Sequence, residues 1–88
     1  MVSRRVVATF CFADLAGFTA LTEDKGDEDA ADVAVLFADI ARRSLAGGDR
    51  LVKTIGDAVL LTSPDPARGV ALVERILARA AVEPLFPI

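Results

Sequence analysis

The sequence predicts an α+β fold in which strands and helices follow one another in the order β-α-α-β-β-α. Three observations support this prediction. An apolar run near the N terminus has the composition of a strand, a Gly-Asp pair separates two further strand-like runs, and two segments carry apolar residues at helical spacing. The chain has 88 residues, of which 53% are hydrophobic and 26% charged, so it is one small domain and not a disordered segment.

The first strand is predicted over Val6–Ala13, where the sequence VVATFCFA is β-branched or aromatic at most positions. Because the run is apolar on both alternations, we expect this strand to be buried on both faces and to lie centrally in a sheet. Its Cys11 is the single cysteine of the chain, which excludes an internal disulfide. We expect Cys11 to be a buried packing residue.

Two helices are predicted after this strand. A short one covers Ala20–Lys25, with Thr19 as its N-cap and Gly26 at its end. An amphipathic helix then covers about Asp29–Leu45 and stops at Gly47 and Gly48. Its predicted buried stripe is Val33, Leu36, Phe37, Ile40 and Ala41, and its predicted outer face is Asp32, Asp39 and Arg43, with Asp39 and Arg43 spaced for an i,i+4 ion pair.

The runs Leu51–Ile55 and Ala58–Thr62 are predicted to form a hairpin around Gly56-Asp57. A glycine at the first central position suits a type II′ turn, or a type I′ turn with Asp57 also at positive φ. A third helix is predicted to begin with Asp65 as N-cap and Pro66 as its first residue, and to end at Glu83-Pro84. Its predicted apolar stripe is Val70, Val73, Ile76, Leu77 and Ala80.

The last residues, 85–88, resemble the entry to a further strand. Three strands with helices packed on them would leave one edge of an apolar sheet open, and proteins normally cover or pair such an edge. We therefore expect residues 1–88 to be a partial domain whose following strands are absent.

Composition excludes several classes of function. The formal net charge of −3 and the pI near 4.7 argue against a nucleic-acid-binding module. The absence of histidine excludes the usual Cys/His zinc clusters. The longest apolar run is too short to span a bilayer and no signal-peptide cleavage pattern follows it, so we expect a cytoplasmic chain with no membrane segment.

Two aspartates are the candidate metal ligands. Asp14 follows the first strand, and Asp57 lies at the tip of the hairpin. If the hairpin lies antiparallel beside the first strand, both carboxylates reach the same end of the sheet and could hold Mg²⁺ with substrate phosphates. From the pattern alone, Asp14 is equally well an ordinary N-cap or turn residue, and Asp57 a residue chosen for its turn propensity.

The turn between the first strand and the short helix is a candidate phosphate site. Ala16, Gly17, Phe18 and Thr19 would expose backbone N–H groups at a helix N-terminus, where anionic phosphates are favoured. Lys53, on the first strand of the hairpin, is either a surface lysine with its stem on the sheet or a hydrogen-bond donor to a base or phosphate.

These residues carry a resemblance to a known family. The segment from Phe12 to Thr19, FADLAGFT, is followed 34 residues after Thr19 by the segment KTIGD from Lys53 to Asp57. The two motifs, with the Gly-Gly-Asp turn that ends at Asp49, resemble the class III adenylate/guanylate cyclase catalytic domain. The resemblance begins at about Arg5 and covers roughly the first half of such a domain.

The resemblance implies a ferredoxin-like palm that converts ATP to cyclic AMP and pyrophosphate by attack of the ribose 3′-hydroxyl on the α-phosphate. It assigns two divalent ions, Mg²⁺ or Mn²⁺, to Asp14 and Asp57, with the backbone carbonyl of Leu15 completing the metal shell. The amides of residues 16–19 would hold the β- and γ-phosphates. Lys53 falls on the position where lysine selects adenine, and the intact domain is implied to be a homodimer with its active sites at the interface.

The chain also departs from the family. A second purine-selecting residue and the Asn and Arg that stabilise the transition state have no match after Ala58. No complete catalytic set is therefore present, and we expect the 88 residues to be inactive alone. The alternative hypothesis is a non-catalytic cyclase-like module for nucleotide binding or dimerisation. A phosphoaspartyl enzyme with Asp14 as nucleophile is disfavoured, because that pattern requires a second aspartate where Ala16 stands.

Overall fold

The computed structural model of this protein describes residues 8–14 and 26–83. They form strand β1 (Thr9–Asp14), helix α1 (Asp27–Ser44), strands β2 (Arg50–Ile55) and β3 (Ala58–Ser63), and helix α2 (Pro66–Ala81). The mixed α+β class and the order of these five elements agree with the prediction. The short helix predicted over residues 20–25 and the strand entry predicted over residues 85–88 lie outside the described residues.

The three strands form one antiparallel sheet in the order β1-β3-β2. The hairpin therefore lies antiparallel beside the first strand, as expected, but β3 is the central strand. The prediction that the first strand is central and buried on both faces is wrong for the described residues. β1 is an outer strand, and its Phe10 and Phe12 are 69% and 63% exposed.

Both helices cover the same side of the sheet, which we call the inner face. Four wholly buried residues form the centre of the core, namely Ile40 and Ala41 of α1, Leu61 of β3 and Leu72 of α2. Cys11 and Ala13 of β1 pack against this core from the edge of the sheet. The opposite side, the outer face, carries no helix among the described residues.

Helix α1 buries the predicted stripe. Val33, Phe37, Ile40 and Ala41 are buried and Leu36 is half-buried, while Asp39 and Arg43 form the predicted i,i+4 ion pair at 3.0 Å on the exposed side. The helix begins two residues before the predicted start, after Gly26 at φ 87°. It ends at Ser44, whose buried hydroxyl donates to the carbonyl of Ile40 at 2.8 Å.

Helix α2 starts as predicted, with the Asp65 carboxylate accepting a hydrogen bond of 2.9 Å from the backbone N–H of Arg68. Ile76 of the predicted stripe is buried, but the rest of the buried face consists of Gly69 and Leu72, which were not predicted. Val70 and Leu77 are more than half exposed, and Gly69, the neighbour of Val70, faces β1. A Cβ added at Gly69 would lie 3.1 Å from Cγ2 of Thr9, so the absence of a side chain lets the helix approach the strand.

The hairpin turn adopts one of the two predicted types. Ile55 pairs with Ala58, which leaves the two-residue loop Gly56-Asp57. Gly56 has φ 57°, whereas Asp57 is not at positive φ. This combination fits a type II′ turn, since a type I′ turn needs positive φ at both residues.

Candidate functional site

The strand register brings the two candidate aspartates to one end of the sheet. Asp14 is the last residue of β1 and lies opposite Ala58 of β3, whose chain neighbour is Asp57. Asp14 is exposed and Asp57 is half-buried. Because Ala58 follows the two-residue turn directly and pairs with Asp14, the turn lies beside the C-terminal end of β1.

This placement suits a divalent cation in charge and in ligand type. Both residues supply carboxylate oxygens, which Mg²⁺ and Mn²⁺ prefer, and Asp14 is exposed to solvent. Two aspartates alone do not complete a coordination shell, and the described residues contain no cluster of three or more acidic, cysteine or histidine side chains suited to a metal. The third expected ligand, the carbonyl of Leu15, lies outside the described residues, as do the phosphate-binding amides expected at residues 16–19.

Lys53 is exposed on the outer face, in a cross-strand row with Leu60 of β3 and Phe12 of β1. The next row towards the turn contains Asp14, Ala58 and Ile55. Lys53 and Asp14 therefore share one face of the sheet and lie on its two outer strands. Two strand spacings of about 4.8 Å separate these strands, so the two residues are roughly 10 Å apart perpendicular to the strands and lie one row apart along them.

An irregularity in β2 explains why Lys53 faces outward. The pairing shifts between Leu51 and Lys53, so that Leu51 lies opposite Leu61 and Lys53 opposite the adjacent Leu60. Residues two apart in a regular strand share a face, whereas here Leu51 packs against the core and Lys53 lies on the outer face. The bulge at Val52 thus directs the leucine inward and the lysine outward.

A second polar cluster, centred on Asp49, joins the start of β2 and the end of β3 to helix α2. The sequence analysis did not predict these contacts. The carboxylate of Asp49 accepts hydrogen bonds from the Ser63 hydroxyl at 2.6 Å and from the Ala46 amide at 2.9 Å. The Arg75 guanidinium donates to the same carboxylate at 2.9 Å and to the Ser44 carbonyl at 2.8 Å. The signal available in the sequence was the Gly-Gly-Asp turn, which places an acidic residue after a tight turn.

The environment of Asp49 lowers its pKa below the ordinary value of 3.8. Burial of the carboxylate acts to raise the pKa and is the largest single influence. The hydrogen bonds from Ser63 and Ala46 and the charges of Arg75 and Arg68 act together in the opposite direction and outweigh it. The ionised carboxylate is therefore held in place as a structural anchor, away from the end of the sheet where Asp14 lies.

Comparison with known proteins relates the chain to adenylate cyclases. It is 39% identical over 79 residues to a pH-sensitive adenylate cyclase of Mycobacterium tuberculosis, in an alignment that covers 90% of this chain and 20% of that protein. It is 36% identical over 77 residues to an adenylate cyclase of Glutamicibacter nicotianae, covering 86% of this chain and 19% of that protein. An adenylate cyclase of Streptomyces coelicolor is 33% identical over 88 residues, covering 99% of this chain and 23% of that protein.

No family model matches the chain. The chain spans about a fifth of the length of the curated relatives it matches. Neither helix in the described part of the chain has the length and apolar character needed to cross a membrane. The sequence similarity, together with the aspartate and lysine motifs, relates this chain to the adenylate cyclases over that one segment.

Proposed function

We propose that this chain is part of an adenylate cyclase catalytic domain of the ferredoxin-like palm type and that it acts on ATP. The observation that carries the proposal is the register that sets Asp14 opposite Ala58, beside Asp57. The topology places the end of β1 beside this hairpin turn, and both positions hold a carboxylate, the ligand type that a divalent ion prefers. The similarity to three bacterial adenylate cyclases over most of this chain supports the same function.

In this proposal Asp14, Asp57 and the carbonyl of Leu15 hold two divalent ions, Mg²⁺ or Mn²⁺. Bound ions would neutralise phosphate charge and lower the pKa of the attacking ribose 3′-hydroxyl. The backbone amides of residues 16–19 donate hydrogen bonds to the β- and γ-phosphates. These contacts would orient the triphosphate for attack of the 3′-hydroxyl oxygen on the α-phosphorus. The new O–P bond would form as the bond to pyrophosphate breaks and the hydroxyl proton passes to water.

Lys53 selects the base in this proposal. Its ammonium group has only donors, and adenine N1 is an acceptor, whereas guanine has a donor at the same position. Lys53 is exposed and has no ion pair within the described residues, so its donors are available. The chain thus favours ATP over GTP.

The active assembly is proposed to be a dimer in which two outer faces meet. Asp14 and Lys53 both lie on this face, on the two outer strands and in neighbouring rows. Phe10 and Phe12 add an exposed apolar surface that a partner would cover. Each nucleotide would lie between the aspartates of one subunit and the lysine of the other.

The test is a chimera in which residues 1–88 replace the matching fifth of the Mycobacterium tuberculosis relative, assayed for cyclic AMP formation from Mn²⁺-ATP. We expect Asp14→Asn and Asp57→Asn each to lower turnover by about 10² or more, because charge stabilisation in the site is lost. Asp32→Asn is the matched control, since Asp32 is an exposed aspartate on helix α1 and belongs to neither β1 nor the hairpin turn. Full turnover in both site variants would refute the proposal.

Titration of the 88-residue chain with Mn²⁺, followed by electron paramagnetic resonance, tests the metal site without requiring turnover. The Asp14→Asn and Asp57→Asn variants should bind Mn²⁺ more weakly than the Asp32→Asn variant. Equal binding by all three variants would remove the two aspartates from the metal site.

A second candidate function is a non-catalytic cyclase-like module for dimerisation. The uncovered outer face favours it, with Phe10 69% and Phe12 63% exposed. Sedimentation of the chain and of Phe12→Asp measures dimer formation through this face. A dimer that the substitution disrupts, combined with a chimera that makes no cyclic AMP, would favour this second function over the first.

A further inference from the structure

A groove along the free edge of β2 concentrates positive charge on an acidic protein. It lies between the C-terminal end of α1 and strand β2 and has a volume of about 940 Å³. Its cationic residues are Arg42 from the last turn of α1 and Arg50 and Lys53 from β2, all exposed. We call this feature the β2 groove. The whole chain, by contrast, has a formal net charge of −3.

The cations of the β2 groove form no ion pair within the described part of the chain. Arg43, Arg68 and Arg75 each form an ion pair with an aspartate at 3.0, 3.4 and 2.9 Å. No such pair involves Arg42, Arg50 or Lys53 among the residues described. Three such cations therefore line the β2 groove, together with the Asp49 carboxylate, which pairs with Arg75.

The groove also offers backbone and apolar groups. β2 pairs only with β3 in the described sheet, so its other edge presents unpaired N–H and C=O groups. Leu45 and Leu51 line the groove as partly buried apolar residues, and Val52 is 50% exposed. The six residues of β2 span about 20 Å at roughly 3.3 Å per residue. This length matches a short extended peptide.

We propose that the β2 groove binds an extended acidic peptide segment of a partner protein, which adds a strand to the edge of β2. Backbone hydrogen bonds to β2 supply affinity, and carboxylates facing Arg42 and Arg50 supply specificity and register. Apolar side chains at alternate positions would pack on Leu45 and Val52. Lys53 lines this groove and is also the proposed base-selecting residue, so the test of this inference uses Arg42 and Arg50, which have no role in the proposed cyclase activity.

Edge protection and simple anion binding are the two alternative roles of the β2 groove, and each predicts different behaviour. Lysine, arginine and bulges on an outer strand also protect the strand against aggregation, in which case the groove binds nothing. A polyphosphate or nucleic acid would use the cations but not the strand edge or the apolar residues. Arg42 argues against edge protection, since it comes from α1 and is not part of the strand, and the apolar residues Leu45 and Val52 favour a peptide over a simple anion.

The test is fluorescence anisotropy of the 88-residue chain with a labelled peptide that alternates glutamate and valine over seven residues. Wild-type chain should bind it, and the double variant Arg42→Glu/Arg50→Glu should bind about tenfold or more weakly. The matched control is Arg79→Glu, an exposed arginine of α2 outside the groove and without an ion pair in the described residues, which should leave binding unchanged. Thermal unfolding of each variant verifies that it remains folded.

A second peptide of the same sequence, N-methylated at alternate residues, keeps the charge but cannot pair as a strand. It should bind at least tenfold more weakly than the unmethylated peptide. Equal binding of both peptides, or displacement of the peptide by tripolyphosphate at similar concentration, would replace strand addition with simple anion binding. If the wild-type chain does not bind the labelled peptide, the cations serve edge protection and the proposal is overturned.

Discussion

Asp49 connects three parts of the chain through a single carboxylate. Its side chain is only 1% exposed, and it joins the α1–β2 loop, the end of β3 and helix α2 through Ala46, Ser63 and Arg75. A buried carboxylate is costly unless its oxygens are satisfied, and here three donors satisfy them. The arrangement fixes where β2 begins, and the bulge that follows sets the outward orientation of Lys53.

Replacing Asp49 by asparagine should destabilise the fold by about 1–3 kcal/mol, because Arg75 loses its charged partner and one donor is left facing an amide. Urea unfolding of wild type and Asp49→Asn at neutral pH measures this loss. Ser63→Ala removes a single neutral donor and should cost less. An Asp49→Asn variant as stable as wild type would show that the cluster does not anchor the fold.

Because the pKa of Asp49 is lowered in the folded chain, we expect the free energy of unfolding to decrease at acidic pH. At acidic pH the folded state binds fewer protons than the unfolded state. The stabilisation is therefore fully present above the unfolded value and is lost as pH falls below about 4 through the lowered folded value. Unfolding free energies of wild type and Asp49→Asn between about pH 3 and pH 7 should converge at the acidic end. A constant difference over this range would contradict the assignment.

Lys53→Glu tests base selection in the chimeric cyclase. The substitution replaces a donor by an acceptor that would face adenine N1, and an unpaired polar group of this kind costs roughly 1–3 kcal/mol. Turnover of ATP should fall by about tenfold or more relative to turnover of GTP. The matched substitution Arg79→Glu also reverses one exposed charge and should leave the ATP to GTP ratio unchanged. Unaltered selectivity in Lys53→Glu would remove Lys53 from the base-binding site.

At the scale of elements, the α1–β2 connection depends on one of its two glycines. Gly48 has φ 85°, and a Cβ placed there would lie 2.5 Å from Cγ of Pro64, which begins the β3–α2 connection. Gly47 has no positive φ and open space around its Cα. The two loops therefore meet at Gly48, and only glycine allows both the left-handed backbone and the close approach.

Gly48→Ala should destabilise the chain by at least about 1–2 kcal/mol from backbone strain alone, with a further cost from moving Pro64. Gly47→Ala should change stability by no more than about 0.5 kcal/mol, as for other exposed loop positions. Thermal unfolding of the two variants under one condition makes the comparison. Similar melting temperatures for both would contradict the structural distinction between the two glycines.

At the scale of the whole molecule, the outer face of the sheet and its β1 edge are not covered by a helix in the described chain and carry exposed apolar side chains. Phe10 and Phe12 lie along β1, and Val70 and Val73 of α2 border the same edge. Exposed apolar groups in a continuous surface are typical of a region that another segment or subunit covers. The proposed palm fold and dimer would both use this surface.

The 88-residue chain alone should form no cyclic AMP from Mn²⁺-ATP above an Asp14→Ala control. The sequence has no residues that match the Asn and Arg which stabilise the transition state in the family it resembles. Removing one such stabilising donor typically lowers a rate by ~10² to 10³, and two have no match here. Dimerisation of identical chains supplies no new residue type, so turnover above the control would show that other residues perform catalysis.

Local sequence preferences predicted several turns, caps and helix faces of this protein. The Gly56-Asp57 turn, the Asp65 cap with Pro66, and the buried stripe of α1 follow from backbone preferences and helical spacing within a few residues. The proximity of Asp14 to Asp57 was also predictable, because a two-residue hairpin beside the first strand leaves few alternatives. The functional roles of Asp14, Asp57 and Lys53 stay predictions, which the substitutions at these three residues test.

Tertiary structure alone decided the rest, since it depends on contacts between residues distant in the sequence. The apolar character of β1 predicted a central strand, but β3 took that position by pairing with both neighbours. The bulge that separates Leu51 from Lys53 depends on the register with β3, and the Asp49 cluster joins residues 14 and 26 positions apart. Gly69 displaced Val70 from the buried face of α2 because the helix crosses close to Thr9. Propensity and periodicity describe a segment by itself, whereas these features arise only when segments pack together.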